Sequence, residues 1–149
     1  MLKFKNRDKD GKEYLVKISM SSVQGGIVAE FDKTEIESEK NEKATIFLTP
    51  MDAAAFVHNT RKNDDLACRQ VGHGADSITL SIRRILWGSK YVEEHHVGFI
   101  GERADAVINA GLIEIDVPVF VVEAMRLCIE RMMESLFFPS TGADEEEFG

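Results

Sequence analysis

The stretch Ile113–Phe138 reads IEIDVPVFVVEAMRLCIERMMESLFF and contains the strongest structural signal in this chain of 149 residues. It begins as a short alternating strand and continues as a helix of about five turns. Asp116 and Pro118 are typical of a first helical turn, because Asp accepts from unpaired N–H groups and Pro has no N–H to satisfy. Pro139 is expected to end the helix. The apolar positions repeat at helical spacing: Val121, Val122, Met125, Cys128, Ile129, Met132, Met133, Leu136 and Phe137.

A similar pattern occurs earlier, in the segment Thr45–Arg61. It again reads as a strand followed by a proline, Pro50, and a helix that extends to about residue 62. Thr49 and Asp52 have the three-residue spacing of a capping box, in which side chain and backbone of the two residues bond reciprocally. The segment therefore predicts a second, shorter helix.

Aligning Pro50 with Pro118 also aligns Phe31 with Phe99, each near the end of a β-like run. This self-similarity predicts an α+β fold of two β-β-β-β-α units, with antiparallel sheets and helices packed together. We expect one globular domain over residues 1–139, built of units at about 1–65 and 66–139, and an acidic tail at 140–149.

The strands follow from alternating apolar residues between turn signals. In the first unit they are predicted at Leu2–Lys5, Tyr14–Met20, Ile27–Phe31 and Ala44–Leu48. The charged segment 34–43 between the last two is expected to be a solvated loop. In the second unit strands are predicted at Ser77–Trp87, Lys90–Ile100, Ala104–Ile108 and Leu112–Ile115, with Gly88-Ser89 as a two-residue hairpin turn.

Composition limits the class of protein. The apolar fraction of 44% suits a globular chain, and no apolar run is long enough to span a bilayer. The charged N-terminus, MLKFKNR, does not resemble a signal peptide. Cys68 and Cys128 make no disulfide framework. We therefore expect a protein of the cytoplasm, in bacteria or in a phage-infected host.

The net charge of −8 is unevenly distributed along the chain. Residues 1–91 hold fifteen Lys/Arg and thirteen Asp/Glu, a net +2, whereas residues 92–139 hold three and nine, a net −6. The last ten residues contribute four more acids and no base. The predicted strands of the first part are thus mildly basic, and local patches rather than total charge decide binding.

The usual catalytic patterns are absent from the sequence. It contains no Gly-rich phosphate loop, no Cys-x-x-Cys and no His-Glu-x-x-His. His95 and His96 are adjacent on a predicted strand and so point to opposite faces, which does not suit one metal ion. Cys68 and His73 could form a nucleophile and base, but nothing supplies a third, orienting group. We expect no enzyme, no cofactor and no metal.

Cations and aromatic residues are interleaved on the predicted strands. Cations neutralise phosphates and aromatic rings stack on bases, which together are what single-strand binding without sequence preference requires. The ordinary reading, core aromatics and surface lysines, remains open for each residue. The candidate nucleic-acid-binding residues are Lys3, Lys5, Tyr14, Lys17, Arg83, Arg84, Trp87, Lys90 and Tyr91.

The C-terminal segment PSTGADEEEFG combines a small polar linker, four consecutive acids and an aromatic residue, a composition expected to be disordered. It resembles the acidic tails of bacterial and phage single-stranded-DNA-binding proteins, although here one glycine follows the phenylalanine. That resemblance implies recruitment of replication or recombination proteins and competition with DNA for a basic groove. The tail residues concerned are Asp144, Glu145, Glu146, Glu147 and Phe148.

Over residues 1–138 the predicted topology, with its basic and aromatic strand face, resembles the Whirly/PC4-like family of single-stranded-nucleic-acid-binding proteins. The resemblance implies a non-catalytic protein that binds single-stranded DNA or RNA largely independently of sequence. The wide apolar stripe of the last helix further predicts a homo-oligomer formed through that helix.

Two alternatives remain open from the sequence. The acidic C-terminal part favours a small phage or bacterial assembly module without nucleic-acid binding. An OB-fold single-strand binder is also rich in strands and also carries acidic tails, but two helices after matched strand sets fit it less well.

Overall fold

A computed structural model describes residues 1–8, 10–61 and 69–137, without the side chains of residues 69, 83–85, 103, 104, 136 and 137. It confirms an α+β fold with antiparallel sheets and two helices. The strands are β1 (Leu2–Arg7), β2 (Glu13–Val23), β3 (Gly26–Glu35), β4 (Asn41–Leu48), β5 (Arg69–His73), β6 (Asp76–Val92), β7 (His95–Ala110) and β8 (Ile113–Pro118). The helices are α1 (Pro50–Thr60) and α2 (Val119–Phe137).

The first sheet pairs β1 to β4 in chain order, each antiparallel to the next. Its central hairpin, β2–β3, turns at Gln24-Gly25, where Gly25 supplies a positive φ of 86°. Alternation along β2 sends Val16 and Ile18 into the core and Lys17 to the outer face. Neighbouring strands β1 and β4 pair with both edges of this hairpin, and both helices pack on its inner face.

The second sheet also follows chain order, from β5 to β8, but its central hairpin is much longer. The predicted turn at Gly88-Ser89 is wrong: β6 continues to Val92, and the chain reverses at Glu93-Glu94. Both glutamates have positive φ, 50° and 72°, as a type I′ turn requires. The predicted strand 90–100 is accordingly divided between the end of β6, the turn and the start of β7, and the predicted strand 104–108 belongs to the same strand β7.

The predicted capping box at the start of α1 is confirmed. The Asp52 N–H donates to Thr49 Oγ1 at 3.2 Å, and the Thr49 N–H donates to Asp52 Oδ2 at 3.2 Å. At α2 the sequence was misleading, since Asp116 and Pro118 lie in β8, opposite Val107 and Asp105. Asp116 is therefore a strand residue and does not cap the helix, which begins at Val119.

One hydrophobic core joins both sheets and both helices. The helices contact each other and cover the inner faces of the sheets. The predicted apolar face of α2 is buried within the chain itself at Val121, Val122, Met125 and Ile129. Other fully buried side chains are Phe31, Phe56, Ile18, Ile27, Ile46, Leu48, Ile78, Leu80, Ile108 and Ile115.

Polar contacts also connect the two sheets. The Phe47 N–H donates to Asp76 Oδ1 at 3.0 Å, and Lys33 Nζ donates to the Glu114 carbonyl at 2.7 Å. These bonds attach β4 to the start of β6, and β3 to β8. They join the two sheets at one end of the second sheet, and the tip of its long hairpin is at the other end.

Candidate nucleic-acid interface

Three of the predicted binding residues lie together on the outer face of the first sheet. Lys3 is directly opposite Lys17 across β1 and β2, and Lys5 is two residues along β1 on the same face. Lys3 and Lys5 are exposed, and Lys17 is half-buried. Asp32 lies opposite Lys17 on β3, so the row of cations is interrupted by one acid. We call Lys3, Lys5 and Lys17 the basic row.

Tyr14 does not lie with the basic row. It is three residues before Lys17 on β2, so strand alternation turns it to the other face. Lys33 Nζ is 4.3 Å from the centre of the Tyr14 ring, a cation–π contact in the region where β3 meets β8. A small cavity of about 10 Å³ beside the ring is also lined by Asn6 and Asp116. Tyr14 is part of the contact between the sheets.

The titration of Tyr14 agrees with this placement. Burial, and next the negative charge of Asp8, raise the pKa of the Tyr14 hydroxyl to about 12. Burial also tends to raise the pKa of Asp8, but hydrogen bonds from the Lys12 and Asp10 N–H groups outweigh it, so that pKa is lowered. An ionised Asp8 beside a neutral Tyr14 is a stable pair at neutral pH.

The remaining candidates lie on the long hairpin of the second sheet. Among the described residues, β5 pairs with β6 only as far as Leu80, and β8 pairs with β7 only from Asp105 onward. Beyond those points β6 and β7 pair only with each other. We call residues 86–101 the distal ribbon. It is a two-stranded antiparallel hairpin in which every residue except Gly98 and Gly101 is exposed.

One face of the distal ribbon carries a row of aromatic rings. Tyr91 lies opposite His96, with ring centres 5.5 Å apart in an edge-on arrangement. His96 in turn contacts Phe99, with centres 5.1 Å apart. Trp87 pairs with Gly101, and Phe99 is two residues before Gly101 on β7. Residues two apart on a strand face the same way, so Phe99 and Trp87 lie on one face of the ribbon. We call Trp87, Tyr91, His96 and Phe99 the aromatic row.

The indole of Trp87 rests on bare backbone. A Cβ at Gly101 would lie 2.2 Å from Cζ2 of Trp87, so the ring covers the glycine directly. Aromatic rings often cover strand glycines across a ladder in this way. The contact holds the indole flat against the ribbon while 51% of the residue stays exposed. Tyr91 and Phe99 are exposed to 61% and 45%.

Lys90, Arg83 and Arg84 are less well gathered. Lys90 pairs with Gly98 on the face opposite to Trp87 and Tyr91. In the backbone register Arg83 pairs with Asp105 and Arg84 with Ala104, and the side chains of both lie outside the described part of the structure. Lys90, the third cation, does not share a face with the aromatic row.

His96 and Phe99 were missed as site residues. With the turn predicted at Gly88-Ser89, the predicted strand pairing puts neither residue next to Trp87 or Tyr91. Two glycines with positive φ inside the strands, Gly88 and Gly98, imitate a turn in the sequence. The register also shifts by one residue between Lys90 and Tyr91, because Val97 on β7 has no partner in the pairing, and this brings His96 opposite Tyr91.

The other residues that the sequence analysis considered lie outside the described residues or apart from the aromatic row. Cys68 and the tail residues Asp144 to Phe148 lie outside the described residues, and His73 ends β5. His95 lies opposite Val92 and points away from His96. Within residues 1–8, 10–61 and 69–137, no three His, Cys, Asp or Glu residues are grouped as metal ligands would be. Neither α1 nor α2 is long and apolar enough to cross a membrane.

No protein-family model, no curated protein and no solved structure matches this chain.

Proposed function

We propose that this protein binds single-stranded nucleic acid without catalysis and largely without sequence preference, and that the aromatic row is the surface on which bases stack. The observation that carries the proposal is the clustering of exposed rings on one face of a projecting hairpin. Several exposed aromatic residues gathered on one face form the kind of contiguous apolar patch that marks an interaction site. Every base has a π-face, so such a row accepts any sequence.

The basic row supplies the electrostatic part of the proposal. Like charges directly opposite on neighbouring strands are destabilising, and Lys3 and Lys17 form such a pair. A phosphate between them would relieve the repulsion. The basic row and the aromatic row lie on different sheets, so a bound strand would contact both only by crossing from one sheet to the other.

The finer features of the proposal rest on the sequence. Two β-β-β-β-α units in one chain, related to the Whirly/PC4-like proteins, would supply two strand faces. The acidic tail, Asp144 to Phe148, would compete with nucleic acid for the basic row and recruit replication or recombination proteins in the cytoplasm. A homo-oligomer through α2 would have to use its exposed residues, such as Leu127, since the buried face is already occupied within the chain.

The test is a titration with single-stranded oligo(dT) at two salt concentrations. Trp87 is the only tryptophan in the chain, so stacking of a base on the aromatic row should quench the intrinsic fluorescence. Tyr91→Ala and Phe99→Ala should each cost about 1–3 kcal/mol of binding free energy. A chain ending at Ser140 should bind more tightly, and binding should weaken as salt rises.

Leu112→Ala is the matched control, because Leu112 is a fully exposed apolar residue in the turn between β7 and β8. It should bind oligo(dT) like the unchanged chain. Absence of binding by both the full chain and the chain ending at Ser140, even at low salt, would overturn the proposal. Binding that survives loss of both Tyr91 and Phe99 would remove the aromatic row from it.

The second candidate function is a protein-assembly module without nucleic-acid binding. The observation that favours it is the acidic turn of the distal ribbon, Glu93-Glu94, which would repel a phosphate backbone. This candidate predicts no response to oligo(dT) at any salt concentration.

A further inference from the structure

The outer face of the first sheet carries a further lysine in line with the basic row. The sequence predicts a loop as far as residue 43, whereas β4 already begins at Asn41, so Lys43 lies on a strand. Lys43 pairs with Asp32 on β3, and Asp32 pairs in turn with Lys17 on β2. Residues that pair directly across neighbouring strands point to the same face. We call the line that crosses all four strands the cross-strand row: Lys3, Lys17, Asp32 and Lys43.

A cavity of about 220 Å³ lies beside the cross-strand row. Lys17 and Lys43 both line it, together with Thr45, which points to the same face two residues along β4. Lysine ammonium groups and hydroxyl groups are among the donors that contact phosphate oxygens in nucleic-acid complexes. The cavity therefore brings two lysines and a hydroxyl residue to one place on an otherwise open sheet face.

Two acids also line this cavity, and both already accept hydrogen bonds from uncharged neighbours. Asp32 Oδ1 accepts from Asn41 Nδ2 at 2.7 Å and from Thr34 Oγ1 at 3.3 Å. Glu30 Oε1 accepts from Ser19 Oγ at 3.4 Å. Among the described residues, neither acid forms an ion pair with a lysine. The acids are thus held by neutral donors, and the lysines of the cavity are left without an ionic partner in that part of the chain.

The outer face is positive although the chain as a whole is negative. Arg7 and Glu13, at one end of the face, pair with each other at 2.8 Å. Apart from them the face carries the three lysines of the basic row, Lys43 and two acids, so four positive charges against two negative ones give +2. The whole chain has a net charge of −8. Cations gathered on one exposed face create a local field that attracts an anion.

We infer that the cross-strand row holds the sugar–phosphate backbone of the bound single strand, with Lys43 contacting one phosphate and the Lys3–Lys17 pair another. Adjacent strands lie about 4.8 Å apart, so Lys17 on β2 and Lys43 on β4 are about 10 Å apart at the backbone, which leaves room for a phosphate at each position. Asp32 lies between the two positions and opposes the bound phosphates by its charge. This inference rests on the proposed function and adds to it a phosphate-binding residue, Lys43, and an acid that limits the affinity.

The test is a titration of the full chain and of single variants with labelled oligo(dT) over a range of salt concentrations. Loss of one phosphate contact reduces the slope of log K against log salt by about 0.7, which corresponds to a loss of affinity of about fivefold at about 0.1 M salt. Lys43→Gln should show both changes. The matched control is Lys40→Gln, which removes the same charge from an exposed lysine in the connection between β3 and β4 and should change neither quantity.

Asp32→Asn tests the same contact in the opposite direction. The side-chain amide oxygen can still accept from Asn41 and Thr34, so the face keeps its hydrogen bonds while it loses one negative charge. The affinity for oligo(dT) should rise about threefold, since the acid no longer opposes the phosphates at close range. A variant that failed to fold could not produce this gain.

Two results would overturn the inference: Lys43→Gln binding like Lys40→Gln, or Asp32→Asn binding no more tightly than the unchanged chain. If oligo(dT) still quenches the Trp87 fluorescence of these variants, the aromatic row stands as a binding surface without this phosphate site. Absence of binding by the unchanged chain would overturn both the inference and the proposed function, and would leave the lysines of this face to an acidic protein surface.

Discussion

The central hairpins of the two sheets have the same topology, but the first is covered on its inner face and the second is covered only at its base. In β2–β3 both helices pack on the inner face, and Val16, Ile18, Ile27, Ala29 and Phe31 are buried. In β6–β7 the same burial ends near Ala106, and no residue of the distal ribbon is buried. The difference is length: strands of 17 and 16 residues extend past neighbours of five and six. The part of a hairpin that outgrows its neighbours is available for binding.

The two phenylalanines that the proline alignment of the sequence superimposes, Phe31 and Phe99, should show the largest contrast. Phe31 is 1% exposed and Phe99 is 45% exposed. Phe31→Ala should lower the free energy of unfolding by about 3–5 kcal/mol through lost burial and a cavity. Phe99→Ala should lower it by about 1 kcal/mol or less, since it removes one ring contact. Urea denaturation of both variants measures this, and similar losses would show that the distal ribbon is covered.

Replacement of a glycine by alanine should also affect the stability of the two hairpins differently. A Cβ at Gly26 would lie 2.2 Å from the Leu48 carbonyl oxygen, a backbone atom that cannot turn aside. Gly26→Ala should therefore cost about 1–3 kcal/mol of stability, as other overpacked sites do. At Gly101 the obstacle is the indole of Trp87, which can swing into solvent. Gly101→Ala should leave the urea midpoint nearly unchanged and shift the Trp87 emission to the red.

The turns at the hairpin tips provide a third contrast. Glu93 and Glu94 hold positive φ at about 1 kcal/mol or more each, because their Cβ atoms crowd the backbone. Glu93→Asn with Glu94→Gly should remove roughly that strain and slow amide hydrogen exchange in the distal ribbon. Gln24→Asn is the control in β2–β3, where Gly25 already occupies the position of positive φ. Unchanged exchange in residues 86–101 would contradict the strain.

The smallest expected effect concerns pH. The Tyr14 pKa rises from 10.0 to about 12 on folding, so the neutral hydroxyl is favoured in the folded state. Its contribution to stability is complete below pH 10.0 and is lost as pH rises towards 12. The difference in unfolding free energy between the unchanged chain and Tyr14→Phe should therefore be constant near neutral pH and shrink above pH 10. A difference that stays constant up to pH 12 would argue against this pKa.

The first sheet was largely predictable from alternation. The predicted strands at 14–20, 27–31 and 44–48 all lie within β2, β3 and β4. The separation of Tyr14 from Lys17 could also have been read from the sequence, because residues three apart on a strand face opposite ways. The basic row could also be predicted from strand alternation in the sequence. Lys3 and Lys17 are brought together by a hairpin whose turn contains an ordinary Gly signal.

The second sheet was less predictable because its turn chemistry is unusual. Type I′ turns normally use Asn and Gly, so Glu93-Glu94 gave no signal, whereas Gly88 inside β6 gave a false one. The number of strands in the second unit agrees only by compensation, because β7 was divided into two predicted strands and β5 was not predicted. The misplaced turn concealed His96 and Phe99. The prediction that Asp116 caps the last helix was also wrong. An Asp two residues before a Pro fits the end of an edge strand as well as the start of a helix.

The strictly sequential strand order has a consequence for how the chain folds. Each strand of both sheets pairs with its immediate neighbour in the sequence, so no pairing within a sheet has to wait for a distant segment. During synthesis, all strands of the first sheet exist once residue 48 has emerged. The α1 helix follows directly and covers part of its inner face, but the rest would stay exposed until α2, more than 70 residues later, supplies Val122, Met125 and Ile129. The nascent chain is most vulnerable to aggregation during that interval.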